Sequence, residues 1–425
     1  MKCDFEIFID DQWVTAASFE AFPESDTMGY RGGGHFAYYP EYVAHYLGRP
    51  DAALSLCFPV SYDMPKMDHW PAFMLDILPS GAARRNVLND LGASMDGPAA
   101  DWPTLLHGAG NPIGNIRVKE AAVDVPAEQH QGFERQDIIA RNENFIEYAR
   151  AKGAPVSGSS GAQGDAPKFL LVEDLEGRWH ADRAIPDDRV SRHWIVKFPR
   201  GKKASDRQVL KNEAVYYVVA GKLGLKVGSP LVYENDALFI PRFDREVLNG
   251  AIYRNGVESL CAAAGIAEFG AHPSQNSLLE TIARYSTQPQ EDVEEFILRD
   301  IINIAMGNTD NHPRNTAWLK KGGEARLAPL FDFAPMYLDE QGIARACRWD
   351  EHDHAGNPDW CAIVKSLDLP GIDNTRVLSR IGQFSKKVKT LPAVMASCGV
   401  DASIIKHLKP RIENIHANLA QANFE

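Results

Sequence analysis

The chain opens on partial alternation. In "DFEIFIDDQWVTA" (4–16) apolar residues recur on either side of Asp10-Asp11, which predicts two strands joined at those acids. "ALSLCFPV" (53–60) reads as a short buried strand, and "PAFMLDILPSGAARRNVLNDLG" (71–92) has helical spacing interrupted at Pro79. A polar connecting stretch covers 121–148. "WIVKFP" (194–199) then reads as a strand, and "DRQVLKNEAVYYVVAGKLGL" (206–225) as a helix with Val209, Val215, Val218 and Val219 inward and Gly224 as its cap. "SPLVYENDALFIPRFDR" (229–245) has the form of a hairpin turning at Glu234-Asn235-Asp236. Beyond about residue 250 the pattern is mostly helical. In "QEDVEEFILRDIINIAMG" (290–307), Val293, Phe296, Ile297, Ile301, Ile304 and Ala305 recur at three- and four-residue steps, and Gly307 can end the helix. "NTAWL" (315–319) and "ARLAPLFDFAP" (325–335) read as paired strands, the second ending on Asp332.

Composition adds limits rather than direction. At 425 residues, 44% hydrophobic and 24% charged, the chain can form two or three packed units. Its net charge of -12 disfavours broad, non-specific binding to nucleic acid or anionic membrane. The six cysteines are scattered without a C-x-x-C pair, which points to a reduced, cytoplasmic protein. The first residues lack the apolar core of a secretory signal, and no run of 18 apolar residues suggests a membrane span. Gly32-Gly33-Gly34 is read as a flexible turn rather than a phosphate cradle, because no strand–glycine–helix pattern surrounds it.

The candidate chemistry sits between two pieces of core. "GNTDNHPRNTAWL" (307–319) follows the best helix, and "LFDF" (330–333) follows the next strand pair. Asp310 and Asn315 have D-x-x-x-x-N spacing, and Asp332 comes later. This order suits phosphoryl transfer: one carboxylate orients a hydroxyl and accepts its proton, while an amide oxygen and a second carboxylate hold Mg²⁺. Upstream, "SGSSGAQG" (157–164) is small enough for its N–H groups to approach phosphate. Lys197, mid-strand, needs an anion if buried, although an edge-strand surface position is the plainer alternative. Glu213 could pair with Lys197 or face solvent.

Taken jointly, "SGAQ" (160–163), "IVKFP" (195–199), "NEAVYYVVAGKLGL" (212–225), "IPRFDR" (240–245), "GNTDNHPRN" (307–315) and "LFDFAP" (330–335) resemble the HipA family of bacterial toxin serine/threonine kinases, over nearly the whole chain. The resemblance implies an α+β, two-lobed protein-kinase-like fold. Its parts would be an N-terminal subdomain over 1–120, a connecting region over 121–149, an N-lobe over 150–245 and a helical C-lobe over 246–425. It implies ATP and Mg²⁺, with Asp310 as catalytic base and Asn315 and Asp332 on the metal. His312 and Phe331 would lie at the nucleotide, and Lys197 at its phosphates. Pro241, Arg242 and Phe243 would line the adenine, and Ser160, Gly161, Ala162 and Gln163 would form the phosphate loop.

Family members can inactivate themselves by phosphorylating a serine near that loop. Here direct spacing puts that position on Gly158, so Ser157, Ser159 and Ser160 are the candidates. The acid–base pair that often follows "GAQ" is Gly164-Asp165 here. Family substrates include aminoacyl-tRNA synthetases, whose phosphorylation would arrest growth, and the usual partner is a HipB-like helix-turn-helix antitoxin. DNA contact would be at most indirect, through that partner. Two other readings compete: a degenerate kinase that only binds nucleotide or antitoxin, and a metal-dependent hydrolase built on His352, His354 and the acids of "RWDEHDHAGNPDWC" (348–361). For that segment a structural loop is the favoured reading.

Overall fold

The computed structural model describes residues 1–25, 27–92, 96–122, 131–152, 155–156 and 167–421. The chain divides into two compact units. The first comprises Met1–Arg200, Phe239–Ala271 and Ala317–Ala325; the second comprises Gly201–Leu238, His272–Thr316 and Arg326–Glu425.

The first unit begins with a five-stranded sheet in the order β4-β3-β2-β1-β5, formed by β1 (Lys2–Ile9), β2 (Gln12–Ala21), β3 (Gly34–Tyr38), β4 (Lys66–Met67) and β5 (Ile116–Val118). Ile9 pairs with Gln12, so Asp10 and Asp11 form a two-residue loop. Their φ values of 49° and 62° give the left-handed turn whose twist matches antiparallel strands. Phe5, Phe19, Phe36, Trp70, Phe73 and Trp102 fill the core beneath, and Trp70 meets Trp102 edge-on at 5.2 Å. The glycine run is no flexible turn. A Cβ on Gly33 would lie 2.4 Å from Met67 O, and one on Gly34 2.5 Å from Glu20 O, so the run permits close backbone approach.

Residues 53–60 form a turn bridged between Ser55 and Phe58 rather than the expected strand. Side chains take the hydrogen bonds a strand would give to a neighbour. Leu56 N donates to Glu258 Oε2 at 3.0 Å, and the Ser55 hydroxyl donates to the same carboxylate. Lys320 Nζ donates to Ala53 O at 2.8 Å and to Leu54 O at 3.2 Å.

A second sheet is built on β6 (Pro155–Val156), β7 (Lys168–Asp174), β8 (Trp179–Ala181) and β9 (Val190–Lys197), with β7 antiparallel to β9 and Lys168 opposite Lys197. The expected hairpin is present as β10 (Val232–Glu234) and β11 (Ala237–Pro241), with Asn235 and Asp236 at φ 44° and 64°. Then follow the hairpin β12 (Arg245–Leu248) and β13 (Ala251–Arg254), and the sheet of β14 (Gly256–Ser259), β15 (Ala317–Lys321) and β16 (Glu324–Leu327). The strand expected to reach Asp332 stops at Leu327: Pro329 offers no N–H, and Leu330 N donates instead to Lys226 O at 2.8 Å.

The second unit is mainly helical: Ala204–Lys222, Gln275–Tyr285, Pro289–Ala305, Trp360–Ser366, Asn374–Cys398 and Ala402–Gln421. Gly224, at φ 82°, follows the first helix as expected. That helix is rotated relative to the valine pattern: Leu210, Tyr216, Tyr217 and Val219 are buried, while Val218 is 43% exposed. The tyrosines set the rotation, because Tyr216 OH donates to Met306 O at 3.0 Å and its ring meets Phe333 at 5.4 Å. Among the described residues no helix is long and apolar enough to cross a membrane.

Candidate active site

The helix Pro289–Ala305 ends where Gly307 takes φ 68°. Only glycine fits there, since a Cβ would lie 2.6 Å from the Tyr337 ring. The chain then passes through Asp310 without regular structure and closes in a short 3₁₀ turn, Pro313–Asn315. His312 caps that turn: its Nδ1 accepts from Arg314 N at 3.2 Å, and Asn315 N donates to His312 O at 2.8 Å. Asn315 Nδ2 donates to the main-chain oxygen of Asp310 at 3.1 Å. The loop is therefore closed on itself, with Asp310, His312 and Asn315 together with Phe331 lining one pocket.

His312 is buried, and its pKa falls to about 4, first through burial and then through the charge of Arg314. It is neutral at pH 7. Because Nδ1 accepts a hydrogen bond, the proton resides on Nε2, and this buried donor meets no acceptor among the described residues.

Asp332 follows Phe331 at φ 50°, a left-handed conformation that costs a non-glycine residue about 1 kcal/mol or more. Buried Phe333, packed on Tyr216, holds it from one side. Tyr337 N donates to Gly307 O at 3.1 Å, and the Tyr337 ring stacks on His407 at 4.6 Å. Backbone strain persists only where packing over-determines it, and such sites are typically functional.

The remaining expected residues are placed as follows. Lys197 is buried at the end of β9 in the first unit, and Glu213 is buried on the helix Ala204–Lys222 of the second. Pro241 and Phe243 flank Arg242, whose guanidinium is fully buried. Arg242 donates to Asp244 Oδ1 at 2.9 Å and to Asp182 Oδ2 at 2.7 Å. Burial opposes ionisation of Asp244, but Arg242 and Arg245 overcome it and hold the carboxyl well below its usual range. Any contact of Arg242 with a base would thus fall to its main chain. Ser157, Ser159, Ser160, Gly161, Ala162 and Gln163 lie outside the described residues.

The segment 348–361 is a structural loop. Asp353 pairs with Arg345 at 3.0 Å, and Asp359 caps the helix Trp360–Ser366 by accepting from Cys361 N and Ala362 N. Among the described residues no group of three His, Cys, Asp or Glu could hold a metal ion.

Sequence reasoning missed Asp300, Asn311 and Tyr216. Asp300 had a signal, since an acid amid the apolar residues of a buried helix needs partners. Asn311 and Tyr216 had none, because their partners are distant in sequence.

Residues 159–391 match the family described as the HipA-like C-terminal domain. A Sinorhizobium fredii protein named "Putative kinase Y4mE" is 26% identical over 188 residues, which is 41% of this chain and 41% of that protein. The HipA chain in the Shewanella oneidensis MR-1 complex of HipA, HipB and operator DNA superposes with a TM-score of 0.69. That match has 17% identity and covers 97% of this chain and 96% of the other. At that identity the likeness establishes fold, and the fold is the α+β, kinase-like one expected from the sequence.

Proposed function

With more than half of its length matching the HipA-like C-terminal domain, the chain belongs to that family, and on this premise we propose that it is an ATP- and Mg²⁺-dependent kinase acting on a serine or threonine hydroxyl of a protein. The observation that carries the reading is the closed loop in which Asn315 Nδ2 holds the Asp310 main chain. An amide nitrogen so committed turns its oxygen to the other side of Cγ. That oxygen and the Asp332 carboxylate are hard donors of the kind Mg²⁺ prefers. Asn315 and Asp332 would hold the ion, which supplies neutralisation of charge on the triphosphate. Asp310 orients the acceptor hydroxyl and takes its proton as the oxygen attacks the γ-phosphorus, the bond from that phosphorus to the β,γ-bridging oxygen breaks and ADP leaves. Neutral His312 offers Nε2–H as a donor in the same pocket without adding charge. Lys197 would balance phosphate charge, as the family resemblance implies.

The protein substrate on this reading is of the aminoacyl-tRNA synthetase class, and a HipB-like antitoxin is the partner, as the name of the similar complex suggests. Self-inactivation falls to Ser157, Ser159 or Ser160, where added phosphate charge would repel ATP. Intact-mass and peptide mapping after incubation with ATP reads that step, and phosphate found only elsewhere in an active enzyme would reject it.

The deciding experiment incubates the protein with γ-labelled ATP, Mg²⁺ and a bacterial lysate. Wild type labels lysate proteins and Asp310→Asn does not. Equal labelling by the two removes the assigned chemistry.

A further inference from the structure

The segment 345–349, which leads into the stretch that looked like a metal loop, is tied by one side chain to the helix Pro289–Ala305 and by another to the catalytic loop. Asp300, 2% exposed on the helix Pro289–Ala305, accepts four hydrogen bonds. They come from Gln275 Nε2 at 3.0 Å, Arg345 Nη2 at 2.7 Å, Trp349 Nε1 at 2.9 Å and Trp360 Nε1 at 3.0 Å. A buried carboxylate with its lone pairs this fully engaged fixes the groups around it. Asn311, the neighbour of Asp310 in the chain, grips the main chain of the same stretch. Its Nδ2 donates to Cys347 O at 2.9 Å, and its Oδ1 accepts from Ala346 N at 2.9 Å and Cys347 N at 3.3 Å. Gln275 N adds a bond to Arg348 O at 2.8 Å. The segment 345–349 is thus held along its length, and both ends of the Asn311 amide are spent on it.

We propose that Asn311 is a positioning residue that locks the segment 345–349 beside Asp310, making it the ledge on which a protein acceptor presents its hydroxyl. This rests on the kinase reading above. A side-chain amide that both donates to and accepts from one stretch of backbone fixes its distance and register, whereas a single bond would let it pivot. The loop carrying Asp310 and the ledge therefore move as one body. The acceptor, not the nucleotide, loses its alignment when the clamp opens.

The test uses the full chain with Asn311→Ala and Asn311→Asp. Hydrogen exchange at the Ala346 and Cys347 amides should rise about tenfold or more in Asn311→Ala, with the helix Pro289–Ala305 unchanged. Affinity for Mg·ADP, read by calorimetry, should stay within about twofold. Transfer of label from ATP to lysate proteins should fall about ten- to hundredfold, the scale of a misplaced reactant. Asn311→Asp keeps both acceptor bonds but sets a charge against Cys347 O, and should recover part of the transfer. If Asn311→Ala labels proteins at the wild-type rate while Asp310→Asn does not, the clamp has no positioning role and the kinase reading stands. Loss of Mg·ADP binding in parallel with transfer would also overturn the inference, since the loop would then have collapsed as a whole. Equal labelling by wild type and Asp310→Asn removes both readings together.

Discussion

Asn315 reaches back five residues to bond the main-chain oxygen of Asp310 at 3.1 Å, so the proposed base and the proposed metal ligand belong to one closed loop. Replacing Asn315 by leucine removes the ligand oxygen and opens the loop. Mn²⁺-dependent binding of ADP, followed by electron paramagnetic resonance of the ion, should weaken about tenfold or more, while ADP binding without metal is unchanged. Identical Mn²⁺ spectra for variant and wild type would take Asn315 off the metal.

His312 makes stability depend on pH. Burial, then Arg314, lowers its folded pKa from 6.5 to about 4, so the unfolded chain binds the extra proton between those values. The stabilising contribution is complete above pH 6.5 and is lost as pH falls toward 4. It amounts to about 3 kcal/mol. Denaturant midpoints measured from pH 7 to pH 4 should therefore fall more steeply for wild type than for His312→Gln; parallel curves would contradict the shift.

At Asp332 the backbone itself can be tested. Asp332→Ala and Asp332→Gly both remove the carboxylate, but only glycine takes φ 50° without strain. The glycine variant should be the more stable of the two by about 1 kcal/mol, and both should fail to transfer phosphate. Equal melting temperatures would mean the turn relaxes when the side chain is gone.

Lys320 is fully buried, with Nζ 3.2 Å from Glu258 Oε2. Lys320→Met strands that carboxylate in the interior and should cost about 3–5 kcal/mol by urea unfolding. Adding Glu258→Gln should recover part of the loss, because the amide can still accept from Leu56 N without carrying charge. A single variant as stable as wild type would show that water reaches the pair.

Tyr216 separates ring from hydroxyl. Tyr216→Phe loses only the bond to Met306 O and should cost about 1 kcal/mol. Tyr216→Ala also removes the ring against Phe333 and should cost about 3–5 kcal/mol. Stability of the two variants by thermal unfolding checks this; similar losses would place the whole effect in the hydroxyl.

Much of this protein was legible as a string. The Asp10-Asp11 and Asn235-Asp236 turns and the helix ending before Gly307 follow from local rules, because turn chemistry, apolar periodicity and glycine's freedom act over a few residues. The motifs taken jointly likewise pointed to the family that the chain matches.

Tertiary structure decided what depends on distant partners. Glu258 and Lys320 took the hydrogen bonds of residues 53–56 and made a turn of an expected strand. Tyr216 and Tyr217, rather than Val218, took the interior of their helix beside Val219. Of the acids of 348–361, which by composition could have bound a metal, Asp353 pairs with Arg345 and Asp359 caps a helix, and the tryptophans there serve Asp300. A buried polar group must find a partner wherever the fold supplies one, and no pattern within the segment reveals which partner that will be.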